Sequence, residues 1–185
     1  MKKVILLGTC HSIQRGENSP ELFQSLIEAE FEKSRFLGIA EEIDNGNTYF
    51  AEKFCNKKGL KYLRMEPDQQ ERITLGIQSA HNIVFEVIEE FDEKHPEIRM
   101  WPSDPSPETL PSEVLEAYNQ RIETSYRARE AEWLQRLLTF NISPVLCICG
   151  ANHFTPFTKL MRGAGIIVKE LHSDWEPDDR LLNRK

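Results

Sequence analysis

Cysteine is scarce. Four in 185 residues cannot make the disulfide framework of a small secreted scaffold. Long apolar runs are missing too: the longest is about one strand in length, against the ~18–20 residues of a membrane-spanning helix. Residues 1–8 start with charge, but their apolar stretch falls short of the ~7–15-residue core of a secretory signal. Basic charge is in deficit, with 23 Lys and Arg against 30 Asp and Glu and a net charge of −7. Such a balance gives no grip on phosphate backbones or anionic membranes. No Gly-rich phosphate loop of the G-x-G-x-x-G or G-x-x-x-x-G-K-[ST] kind is present, which speaks against a nucleotide enzyme. The expectation is a soluble cytoplasmic chain with no nucleic-acid or membrane partner, its oligomeric state left open. What is present is enough apolar material for a core: Phe, Ile, Leu and Val number 49, above the level at which chains stay disordered.

Short apolar runs alternate with longer amphipathic ones, the pattern of an α/β chain with a mostly parallel sheet. Strands are predicted at 4–7, 36–40, 60–65, 145–149 and 165–171. Ser19 and Pro20 open a helix as N-cap and first residue. Asn47 caps a shorter helix that Gly59 stops. One long helix is read over 69–94, with an apolar stripe of Ile73, Ile77, Ala80, Val84, Val87 and Phe91. Five of the ten prolines fall between 95 and 112, so that stretch is an irregular connection. A second long helix follows over 112–140. Thr155 and Pro156 are read as a cap, and the tail from 173 onward as polar and peripheral. The chain is thus expected to be a single α/β domain over 1–185, with 69–140 forming a helical cover over the carboxyl edge of the sheet.

In open parallel sheets, ligands bind beyond the carboxyl ends of the strands. Three predicted strands end in polar groups. The first runs into Gly8-Thr9-Cys10-His11, the second into Glu41-Glu42-Ile43-Asp44, and the strand at 145–149 into Gly150-Ala151-Asn152-His153. A glycine three residues before each histidine allows a tight exit from the strand. If these strands are neighbours, two imidazoles and a carboxylate converge. Such a set can hold a divalent metal that activates water, with the second carboxylate as general base. Strand alternation sets Glu41 and Glu42 on opposite faces without saying which is inward. On the second long helix the stripe Tyr118, Ile122, Tyr126, Arg129, Trp133 and Leu137 carries one arginine among apolar residues. Arg129 either pairs with a buried acid to hold the fold or reaches the strand-end cluster to stabilise an oxyanion. Its neighbours Arg127 and Glu130 are expected to face water.

These residues resemble a known pattern. Gly8-Thr9-Cys10-His11, Glu42-Ile43-Asp44, the helix around Arg129-Glu130-Ala131-Glu132-Trp133, and Gly150-Ala151-Asn152-His153 with the run to Leu171 are similar to the superfamily of TraB, Tiki, GumN, erythromycin esterase and ChaN. The resemblance implies that His11, Glu42 and His153 form the site core, with Arg129 as the helix arginine. It also implies several outputs on one scaffold. Tiki-like members are metal-dependent peptidases, erythromycin esterases use a histidine-activated water, and ChaN binds haem.

The resulting expectation is a hydrolase that activates water for attack on an ester or peptide carbonyl of a small-molecule or peptide substrate. His11, Glu42 and His153 would be its ligands to a divalent metal (Mn, Co, Zn or Fe), and Glu41, Glu42, Arg129 and His153 its catalytic groups. The alternative is a ChaN-like haem- or ligand-binding module without turnover. Other residues carry weaker readings. Cys10 is a candidate nucleophile but reads better as a small hydrophobe. Cys147 and Cys149 read as core, His81 as a core-edge residue and His172 as a site-edge candidate. Asp44 is a candidate second layer behind a histidine.

Overall fold

The computed structural model describes residues 1–44, 46–97 and 110–177. Most of the proline-rich stretch, 98–109, lies outside the described residues, as does 178–185. The described chain divides into two compact units, Met1–Glu66 with Glu130–Lys185, and Pro67–Arg129.

The first unit is built on a five-stranded, all-parallel sheet in the order β3-β2-β4-β1-β5. Its strands are β1 (Lys3–Thr9), β2 (Gly38–Glu41), β3 (Lys61–Arg64), β4 (Val145–Gly150) and β5 (Ile167–Trp175). Helices α1 (His11–Gln14) and α2 (Pro20–Ser34) lead from β1 to β2, α3 (Phe50–Lys58) leads from β2 to β3, and α7 (Ala151–Gly163) leads from β4 to β5. Alternation along β1 sends Val4 and Leu6 to one face and Ile5 and Leu7 to the other. The first face packs Trp133, Leu137, Phe154, Phe157 and Met161. The second packs Ile13, Phe23, Ile27, Phe54 and Cys55. The sheet is therefore covered by helices on both faces, as strands with near-continuous apolar runs require.

The strand order sets where a crevice opens at the sheet edge. From β1 the chain moves towards β2 and covers one face. From β4, the neighbour of β1, it moves towards β5 and covers the other. Adjacent strands whose connections leave in opposite directions open a crevice at their carboxyl ends. β4 pairs with β1 on one side and β2 on the other, in register from Val4 and Gly38, both opposite Val145. The three strands with polar ends are thus consecutive in the sheet.

The second unit holds α4 (Gln69–Thr74), α5 (Ala80–Lys94) and the first part of α6 (Ser112–Thr139). Ile83, Val84, Val87, Ile88, Leu110 and Val114 form its core. Arg121 on α6 bridges to Glu90 on α5 at 2.6 Å.

Three readings of the sequence are corrected. The helix predicted over 69–94 is two helices. Gly76 adopts a φ of +67° between them, and Ser79 restarts the chain by accepting a hydrogen bond from the Asn82 N–H. Ile73, counted into the apolar stripe, is 66% exposed as a result. Thr155 and Pro156 do not cap a helix. α7 begins at Ala151 directly after β4, which places His153 in its first turn. The tail is not peripheral from 173, because β5 continues to Trp175. The Trp175 ring lies 5.9 Å from that of Phe23, and its carbonyl accepts the Thr9 hydroxyl at 2.8 Å.

Candidate functional site

Each side chain of the site comes from the first residues beyond a strand. Glu42 follows β2 and keeps its pairing, its N–H donating to the Ile148 carbonyl at 2.9 Å. Its side chain is buried at 1% exposure, and Oε2 accepts the Gly150 N–H at 2.7 Å. His11 is the first residue of α1, where the chain turns out of β1, and His153 stands in the first turn of α7. Both imidazoles turn Nε2 towards one atom, Glu42 Oε1, at 3.5 Å for His11 and 3.8 Å for His153.

The other nitrogen of each ring is held from behind. His153 Nδ1 lies 2.7 Å from Glu130 Oε1, within a pair that is almost wholly buried. His11 Nδ1 lies 2.7 Å from the amide oxygen of Gln14, one turn along α1. A carboxylate and an amide oxygen are acceptors, so both Nδ1 atoms are placed to donate, which leaves the Nε2 of each ring facing Glu42. Trp133 fixes the plane of the His153 ring edge-on at 4.8 Å, and is itself held by its indole N–H donating to Glu66 at 3.1 Å.

A carboxylate oxygen facing an imidazole nitrogen favours the protonated ring. The Glu42 carboxylate at the His11 Nε2 raises the pKa of His11 from its ordinary value, against the opposing effect of partial burial. Gly150 lies beneath the cluster. A side chain there would stand 3.4 Å from Glu42 Oε2, 3.6 Å from His153 Cδ2 and 3.9 Å from His11 Nε2. The missing Cβ leaves the three groups around one shared space.

Glu41 is on the opposite face. It accepts the Tyr62 hydroxyl at 2.7 Å, and its Oε1 is buried without a hydrogen-bond partner. Burial pushes its pKa up to about 7. Alternation is thus resolved in favour of Glu42 as the inward carboxylate. Asp44 pairs with Arg15 at 3.5 Å rather than with a histidine. Arg129 is half-buried and is the last residue of the second unit. The Cys10 thiol is exposed, 3.1 Å from the Ser12 hydroxyl. Cys147 and Cys149 are buried in β4, and burial raises the pKa of both thiols. His172 is exposed on β5. His81 is exposed, with its ring 4.8 Å from Phe85.

Sequence reasoning missed Glu130 and Gln14. Glu130 was expected in water, yet it is 1% exposed. The signal was available: Glu130 precedes Trp133, Leu134 and Leu137 by three, four and seven residues, the spacing of one helix face. Gln14 follows His11 by three, the spacing at which a helical side chain reaches back to it.

The donor chemistry of the cluster, two imidazole nitrogens and a carboxylate, is of the kind that divalent cations accept. Among the described residues, however, no group of three or more His, Cys, Asp or Glu is placed to hold a metal ion as the side chains stand. No helix among them is long and apolar enough to cross a membrane. Comparison with family models, curated proteins and solved structures returned no match.

Proposed function

We propose that the chain is a hydrolase of ester or amide carbonyls whose water is activated by the His11, Glu42 and His153 cluster. The observation that carries the proposal is the shared position of Glu42 Oε1, faced by the Nε2 atoms of two imidazoles, each oriented by a partner on Nδ1. Ordinary structural histidines do not need this double arrangement. The resemblance to the TraB, Tiki, GumN, erythromycin esterase and ChaN superfamily supplies the substrate class, a carbonyl compound of small-molecule or peptide origin.

Different surroundings divide the roles of the two rings. His153, backed by a buried carboxylate, is the general base. Its Nε2 takes a proton from a water beside Gly150 as the water oxygen adds to the carbonyl carbon. Glu130 stabilises the imidazolium that forms. His11 has its pKa raised by Glu42 and is the more exposed ring. It donates its Nε2 proton to the departing oxygen or nitrogen as the bond to carbon breaks. Glu42 Oε1 lies near both nitrogens and returns the proton from His153 to His11. Water is consumed, an acid and an alcohol or amine leave, and the site is restored.

A second reading is favoured by one observation. Tying each Nδ1 to an oxygen while Nε2 points inward is how metal-binding histidines are held. In that case His11, Glu42 and His153 would hold a divalent cation, which would lower the pKa of bound water. A haem-binding module is less well supported, since an axial imidazole needs an open Nε2 and both rings here face a carboxylate.

The test is turnover of an ester and peptide panel by the wild-type chain and by His153→Gln, with elemental analysis of the purified protein. Turnover lost in the variant supports the proposal. Stoichiometric metal moves the mechanism to the second reading. A coloured, haem-loaded protein without turnover overturns it.

A further inference from the structure

A cavity of about 170 Å³ lies between α1, α2 and the start of α3. All its lining belongs to the first unit. Phe23, Tyr49 and Phe50 supply apolar walls, Thr48 a hydroxyl, and Arg15 and Lys53 two cations. An apolar cavity of about 150 Å³ accepts a benzene ring, so the space suits a group of that size.

Its charge is unusual for this chain. The net charge is −7, and other cavities of the structure carry carboxylates in their linings: Glu28 and Glu32 in one, Glu90 and Glu113 in another, Glu17 and Glu176 in a third. The cavity beside Arg15 has two cations and no carboxylate in its lining. Lys53 makes no ion pair among the described residues. Arg15 meets Asp44 at 3.5 Å, with both side chains substantially exposed. That is a loose surface pair and leaves guanidinium donors for another acceptor.

The cavity is joined to the proposed chemistry along the chain through α1. Arg15 closes the helical turn that His11 opens, its N–H donating to the His11 carbonyl at 2.9 Å. Asp44, which holds Arg15, is two residues beyond Glu42.

Building on the hydrolase reading, we propose that this cavity is a substrate subsite for a carboxylate-bearing apolar or aromatic group. The ring or chain packs against Phe23, Tyr49 and Phe50, and the carboxylate meets Lys53 and Arg15. The substrate class is thereby narrowed to esters or amides that carry a free carboxylate away from the scissile bond.

Binding and turnover test separate parts of this. Ligand-observed NMR on the full chain would compare phenylacetate with phenylacetamide, which differ in charge and little in shape. Phenylacetate should bind at least about tenfold more tightly, as a charge-assisted contact provides. Lys53→Gln should abolish most of the contrast. Lys58→Gln, on the same helix but outside the cavity lining, should leave it. In parallel, the wild-type chain should hydrolyse the p-nitrophenyl monoester of a dicarboxylic acid faster than p-nitrophenyl butyrate, chiefly through KM, and Lys53→Gln should remove that preference. Equal binding of the two probes, or a contrast that survives Lys53→Gln, overturns the subsite. A Lys53-dependent binding contrast with no turnover of either ester supports the anion cavity and overturns only the hydrolase reading beneath it.

Discussion

Glu41→Gln isolates a buried carboxyl that the proposed chemistry does not use. The side chain is fully buried, keeps one hydrogen bond, from Tyr62, and has its pKa pushed by burial from 4.5 to about 7. The folded state therefore holds a proton that the unfolded chain releases at lower pH. Stability from this group is complete below pH 4.5 and is lost as pH rises through about 7. At 1.36 kcal/mol per pKa unit the whole span is worth about 3 kcal/mol, of which about 2 kcal/mol falls between pH 5.5 and 8. Glutamine keeps the shape and an acceptor for Tyr62 and cannot ionise. Urea unfolding of both proteins at half-unit intervals across that range is the assay. Taking the difference removes every other titration, including that of His11. The wild-type chain should lose about 2 kcal/mol relative to Glu41→Gln between pH 5.5 and 8. A difference constant with pH to within about 0.3 kcal/mol would show that Glu41 is ionised throughout, and would refute the reasoning.

Three further outcomes follow from the geometry. Glu130→Gln keeps an oxygen at the His153 Nδ1 but removes the negative charge that stabilises the imidazolium, so kcat should fall on the order of 100-fold with KM little changed, measured by steady-state kinetics. The His11 ring should titrate above 6.5 in NMR spectra and move down in Glu42→Gln, because Glu42 is the leading cause of its raised pKa; a titration unaffected by that substitution would contradict the contact. Gly8→Ala places a Cβ 2.0 Å from the Ser173 carbonyl oxygen, so β1 and β5 must separate locally, and chemical unfolding should show a loss of at least about 3 kcal/mol.

The architecture was readable because its signals are strong and local. Runs such as Val4-Ile5-Leu6-Leu7 and Val145-Leu146-Cys147-Ile148-Cys149 are apolar at every position, as strands covered on both faces require. The polar groups at three strand ends stood out against them. What could not be read depends on tertiary placement. Glu41 ends β2 and Glu42 follows it, and only the tertiary placement that lets Glu42 accept the Gly150 N–H decides which carboxylate joins the cluster. On α6, Arg129 lies four residues before Trp133 and Glu130 three, so a single stripe assigns either one inward. Counting from Leu134 and Leu137 as well selects Glu130. The break at Gly76 was hidden because one glycine is tolerated within a helical pattern, and the apolar spacing happened to continue across it.

The central claim is that Glu42 joins two imidazoles into one proton-handling site. Its most direct measurement is kcat/KM of wild-type and Glu42→Gln proteins on an activated aryl ester, with both confirmed folded by circular dichroism. Glutamine retains the size of the side chain and an oxygen for the Gly150 N–H, and loses the charge that raises His11 and relays the proton. The account predicts measurable wild-type turnover that falls at least about 100-fold in the variant. Wild-type turnover retained in Glu42→Gln would contradict it.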